Sequence, residues 1–377
     1  MGMSGMPLDR GLIFPDLLLR HRQDSARKFL VEIVGVWTRE YLEAQVRHSP
    51  IRTSAGCPCQ SHRARMRYGD RVSLRNKIIE CQAGICLYGL APPKLATPPS
   101  ELPAIVAQQQ ARLAALPVDG LIVYDLQDEA ERTATPRPFP FLPTLDPHAY
   151  AHGHLGGLSL PKIVYRCVSR DSATDFAGWL EQARPAESGI SVLVGAPSRR
   201  APARLRLTEA YALARQHAPG LLLGGIAIAE RHAQTGDEHT RILAKTAAGC
   251  RFFVSQAVYD VTSTKSLLSD YALEAGRRGV APVPIVLTLS PCGSEKTLAF
   301  MKWLGIAFPR WLENDLRHAA DPLVSSVDLC ERIFADAWDY ARDKGVPLGV
   351  NVESVSIRKR EIEASVELLH RLRRLMD

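Results

Sequence analysis

Several groups of side chains in this sequence have the types and spacing that chemistry requires. Cys57, Cys59 and His62 form a C-x-C-x-x-H pattern. It offers three zinc ligands and no second pair, so no metal centre is expected there. His148, His152 and His154 crowd the Gly-rich run HAYAHGHLGG. Imidazoles suit zinc, but no clear helix holds these three in place, and a flexible loop is the expectation. Arg199, Arg200, Arg204 and Arg206 cluster in GAPSRRAPARLR; a solvated basic loop is the default, with a phosphate or polyglutamate contact as its functional use. Asp125, Glu129, Glu230 and Glu353 each fall at or just after the end of an expected strand. A carboxylate buried at such a place is driven toward its protonated form and becomes a candidate general acid. No GxSxG elbow, GxGxxG turn or GxxxxGK[ST] loop is visible, which leaves out the common hydrolase and nucleotide-fold signatures.

These residues depend on a regular alternation of elements that begins near residue 70. Short aliphatic or β-branched runs at 85–90, 120–126, 162–168, 191–195, 222–229, 252–256, 283–289 and 348–354 read as strands. Most are almost continuously apolar, as in strands covered on both faces of a parallel sheet. Amphipathic stretches at 102–116, 174–183, 208–216, 237–248 and 267–276 separate them, and a last helix covers 360–375. Eight strands alternating with helices predict a single (β/α)8 TIM barrel over residues 66–377, in the α/β class. A long Pro-rich stretch, 133–161, follows the second strand and is expected as a loop at the catalytic end.

Residues 1–65 are expected as a separate basic extension, either a helix pair or a poorly ordered segment. They carry ten Lys/Arg against six Asp/Glu, which leaves +3 of the net +7 for the rest of the 377-residue chain. That balance, without a nucleic-acid-binding motif, argues against a nucleic-acid partner. No apolar run is long enough for a membrane span. The eight scattered cysteines and the lack of a secretory signal point to reduced thiols and a cytoplasmic protein.

The run LLGGIAIAERHAQTGDEHTRILAKTAAGCRFFVSQAVYD, 222–260, resembles the fifth strand through the sixth strand of the flavin-dependent methylenetetrahydrofolate reductase family. There IAERH stands at the family's YPExH, KTAAGC at K-x-x-AGA, and SQAVYD at TQxx[FY]D. The run PIVLTLSPCGSEKTLAFMKWLGIAFPRWL resembles a later element of the same family. The likeness covers about residues 80–377 and is concentrated between about 220 and 315. It implies an FAD cofactor, NADH or NADPH as reductant, and reduction of methylenetetrahydrofolate to methyltetrahydrofolate. It implies flavin contacts for His232, Glu238 and Lys245, and for Lys162 at the place of a strand-three histidine. Gln256 and Lys94 would touch folate, and Glu230, the family's YPE glutamate, is the candidate acid. Glu238 and Lys245 are seven residues apart, two helical turns, and so share one helix face.

The pattern departs from the family at its reactive groups. Gly89, in LYGLAPPK, stands where the family's catalytic glutamate is, and a glycine cannot donate a proton. Ala196 replaces the flavin-tuning aspartate, Val194 the neighbouring arginine, and Ile228 the tyrosine of YPE. The expected function is therefore an FAD-dependent reductase of a folate one-carbon unit. The alternative is a non-reducing folate- or pterin-binding protein, or a methyl-transfer partner, of the same fold. The expected partner is a small-molecule folate, with homo-oligomerisation left open.

Overall fold

The eight apolar runs close on themselves. In the computed structural model, which describes residues 6–8, 11–13, 17–20, 28–31 and 72–377 apart from 130–132, 184–188 and 197–201, they form one parallel barrel. Its strands are β1 Cys86–Leu90, β2 Gly120–Val123, β3 Lys162–Cys167, β4 Ile190–Val194, β5 Leu222–Ala227, β6 Cys250–Ala257, β7 Ile285–Leu289 and β8 Leu348–Glu353. Each strand pairs with the next in sequence order, and β8 closes on β1, with Glu353 in register with Gly89. The (β/α)8 expectation holds.

Side chains alternate across each strand, so every second residue enters the barrel. Leu87, Ile122, Ile163, Ile190, Leu222 and Val286 fill its centre with Phe252. Phe252 has room because Gly224 faces it; a Cβ there would lie 2.5 Å from the ring. The opposite faces of the strands pack under the helices Leu102–Ala114 (α1), Ala173–Ala183 (α2), Leu207–His217 (α3), Ala229–Thr235 (α4), Glu238–Ala247 (α5) and Val261–Arg277 (α6). Glu295–Trp303 (α7), Arg310–His318 (α8), Pro322–Asp343 (α9) and Lys359–Met376 (α10) flank the barrel too, while the short helix Leu74–Ile79 before β1 packs Leu74 and Ile78 against the residues inside the barrel. Side-chain caps start several of them: Asp260 accepts from the Thr262 and Ser263 amides, Ser294 from Thr297, and Asp321 from Leu323 and Val324.

The strands end within three residues of the expected limits, and two of the larger differences have local reasons. The second strand stops at Val123, and the Asp125 carboxylate takes the Cys167 amide in place of a ladder bond. The seventh begins only after Pro282 and Pro284, which have no amide to donate. The Pro-rich connection is laid antiparallel against the loop after β1, with Leu95 donating to the Pro143 carbonyl and Leu145 to that of Pro93. His148, His152 and His154, expected in a flexible loop, instead lie on a helical turn, Pro147–Ala149, and the π-helical turn Tyr150–His154 that follows.

The chain divides into two compact units, Met1–Arg67 and Tyr68–Asp377. In the first, Met6–Leu8 pairs antiparallel with Gly11–Ile13, and Leu17–Arg20 with Lys28–Val31. Strands therefore occupy part of the segment for which a helix pair was one expectation. Cys57, Cys59, His62, Arg199 and Arg200 lie outside the described residues. Among the described residues no helix is long and apolar enough to cross a membrane.

Candidate functional site

The C-terminal ends of barrel strands carry the reactive groups of this fold. Here β8 supplies two inward-facing polar residues, Asn351 and Glu353, on one side of an otherwise apolar strand. Asn351 is fully buried. Its amide donates to the Tyr124 hydroxyl at 2.9 Å and to Thr288 of β7 at 3.3 Å. That leaves the Tyr124 hydroxyl hydrogen for the Glu353 carboxyl, to which it bonds. Tyr165 of β3 stands edge-on to Tyr124, with ring centroids 4.9 Å apart. Burial pushes the Glu353 carboxyl up to about 7, against the opposing effect of the Tyr124 hydrogen bond. The two tyrosines are held well above the usual phenol range by burial, with the Glu353 charge adding to it.

Gly89 is the structural counterpart of this acid. It pairs with Glu353 across the β1–β8 seam, and a Cβ on it would meet the Tyr124 ring at 2.8 Å and its hydroxyl at 2.9 Å. The missing side chain on β1 thus makes room for Tyr124, and the mouth keeps one acid on the adjacent strand. Glu353 was legible among the strand-end carboxylates. Tyr124, Tyr165 and Asn351 were not singled out, although a lone Asn within the apolar run LGVNVE was a usable signal.

A segment between α7 and α8 is tied to this end of the barrel. The Gln256 amide donates to the Leu304 carbonyl at 2.6 Å, and the Ala307 amide donates to Glu230 at 3.2 Å. Phe308 stacks on Tyr259 at 4.3 Å, and the Trp303 indole donates to the Thr135 carbonyl of the Pro-rich loop. Arg137, from the same loop, lies over the rings of Phe141, Phe300 and Trp303. In this arrangement Gln256 and Glu230 anchor the 304–307 segment, whereas the resemblance implied a pterin contact and a catalytic acid. Lys94 is exposed on the loop after β1, bridged through its backbone to Thr144.

The residues expected to hold a flavin do not converge. His232, 5% exposed, has its Nε2 3.1 Å from the Asp270 carboxylate of α6. Glu238 is fully buried and takes the Ile228 amide at 3.1 Å and the Arg231 guanidinium at 2.9 Å. The Lys245 ammonium donates to the Ile226 carbonyl at 2.7 Å, and burial lowers its pKa. Its stem lies beside Gly225, on the helix side of the barrel wall, while Gln256 is on the inner side. Lys162 sits at the opposite end of the barrel, at the start of β3, where it bonds to the Leu158 carbonyl. It lines a small cavity of about 280 Å³ there, with His148 and His152. Four groups spent on internal partners, one at the wrong end, do not fit a flavin cradle. Glu238 and Lys245 both turn to the backbone at the end of β5, at Ile228 and Ile226. Lys245→Ala is expected to cost about 1–3 kcal/mol of stability, from the lost aliphatic packing and the unmatched carbonyl. Urea melts of both proteins check this; equal midpoints would remove Lys245 from the structural framework.

Asp125 is likewise engaged, bonded to the Cys167 amide and the Gln127 side chain, and burial raises its pKa. Glu129 is partly buried on the loop that follows.

No family model matches the sequence, and no curated protein does. Among solved structures, an uncharacterized protein from Clostridium thermocellum is 42% identical, over 80% of this chain and 99% of that one, with a TM-score of 0.71. That protein binds two copies of 5-methyl-5,6,7,8-tetrahydrofolic acid. The chain belongs to the same family as this clostridial protein. Far weaker likenesses reach the xylanase TsXylA of Thermoanaerobacterium saccharolyticum, at 11% identity over 73% of this chain and 89% of that one, TM-score 0.41. A 2,3-dimethylmalate lyase stands at 13%, over 78% and 92%, TM-score 0.37. Neither carries any argument about what this family member does.

Proposed function

We propose that the barrel mouth binds a reduced folate of the 5-methyltetrahydrofolate class and that Glu353 is the acid that meets its pterin. The observation that carries this reading is the folate bound by the 42%-identical relative, and the mouth chemistry supports it. An acid that titrates near neutrality retains a proton to share with a ring nitrogen. When a one-carbon group leaves N5 for a nucleophilic acceptor, the C–N5 electron pair stays on nitrogen, and that nitrogen needs a proton. In this reading Glu353 gives it, with Tyr124 bonded to its carboxyl and Asn351 holding the Tyr124 hydroxyl. His232, Glu238, Lys245 and Lys162 contact protein partners, so this reading assigns them no part in folate binding.

Titration calorimetry of the purified full chain with 5-methyltetrahydrofolate tests the proposal. Saturable binding that weakens by about tenfold or more in Glu353→Ala is the expected result, the size of one lost charge-assisted hydrogen bond. Absence of binding by the unaltered protein removes the folate assignment. A flavin absorption spectrum bleached by NADH or NADPH would instead restore the reductase reading that the motif order implies.

A further inference from the structure

Away from the mouth, three metal-ligating side chains from three helices meet. His232 of α4, His239 of α5 and Asp270 of α6 each offer a ligand atom, and these atoms lie within 4.8 Å of one another. The two imidazoles stand edge-to-face, with centroids 5.4 Å apart. The Asp270 carboxylate is 3.1 Å from His232 Nε2. What separates this from an ordinary His–Asp pair is the state of the other nitrogens. Nδ1 of His232 and Nδ1 of His239 are both buried and have no hydrogen-bond partner. A buried ring nitrogen without a partner is unfavourable, and the two rings that carry these nitrogens meet beside one carboxylate, a cluster with unused ligand capacity.

We propose that this triad is a binding site for a divalent transition-metal ion. Two imidazoles and one carboxylate are the ligand set of zinc and its neighbours, and oxygen-seeking magnesium and calcium are served poorly by it. Three protein ligands leave a fourth position for water or an exogenous ligand. Access exists on the solvent side: Asp270 is half exposed and lines an open cleft of about 550 Å³ with Lys265, Ser266 and Tyr340. The ion would bridge α4, α5 and α6, and so fasten the short helix after β5 to its neighbours. This assignment stands on the triad alone and does not depend on the folate reading.

Cobalt(II) is the probe, added to the tag-free, chelator-treated full chain, with zinc(II) as competitor. The expected result is a visible ligand-field spectrum that saturates near one equivalent and is abolished by zinc. His239→Ala and Asp270→Asn should each weaken binding by at least about tenfold, since even outer partners of a metal site contribute that much. Both residues are partly exposed, so these variants keep the fold better than one at His232; circular dichroism confirms it. A spectrum no different from aqueous cobalt overturns the proposal. So does undiminished binding in folded His239→Ala and Asp270→Asn. Loss of binding in His148→Ala/His152→Ala with the triad intact would move the ion to the foot of the barrel and overturn it equally.

Discussion

Glu353→Gln is expected to flatten the pH dependence of stability between about pH 5 and about pH 8. The Glu353 carboxyl is raised to about 7 from its ordinary 4.5. Between those two values the folded protein keeps a proton that the unfolded chain has released. Stability from this group is therefore complete below 4.5 and is lost as pH rises through 7. The span corresponds to about 3 kcal/mol as an upper figure, reduced by the residual solvent contact of a partly buried residue. Glutamine preserves shape and removes the titration. Thermal melts of both proteins across that range give a difference curve that falls with pH only if Glu353 is the titrating group; parallel curves would refute it. If Glu353 also protonates N5 as the one-carbon group departs to its acceptor, turnover in the variant falls by roughly 10²–10⁴-fold.

Gly89→Ala is expected to destabilise the barrel by about 1–3 kcal/mol, the usual cost of forcing a methyl group into a filled core. The new Cβ would lie 2.8 Å from the Tyr124 ring and 3.2 Å from Asn351 Oδ1. Tyr124 cannot swing aside freely, because its hydroxyl accepts from Asn351 and its ring rests against Tyr165. Gly89→Glu should cost more, since it also places a second carboxyl beside Glu353. Urea denaturation measures both. A Gly89→Ala protein as stable as the parent would mean that Tyr124 is not wedged in this gap, and the account of the moved acid would fail with it.

The motif order between 220 and 260 located the right elements and misjudged their faces. His232 and Lys245 do follow β5, and Gln256 lies near the end of β6, yet they turn respectively to α6, to the barrel wall and to the 304–307 segment. Sequence spacing places a residue on an element; it does not say which neighbour the side chain will meet. Short helices such as Ala229–Thr235 are the hardest case, because a rotation of one residue about the axis changes the facing element.

What the sequence determined by itself was the barrel and the end of it that matters. Apolar runs, helix periodicity and strand ends are local signals, and each can be read within about ten residues. The acid of the mouth was visible as one of four strand-end carboxylates and no further. Only the closed barrel decided among them, by bringing Asn351 to Tyr124 across 227 residues and setting Glu353 beside Gly89. Desolvation and partnership belong to contacts between distant segments, and these raise one carboxyl toward neutrality while tying Asp125 and Glu230 to backbone amides.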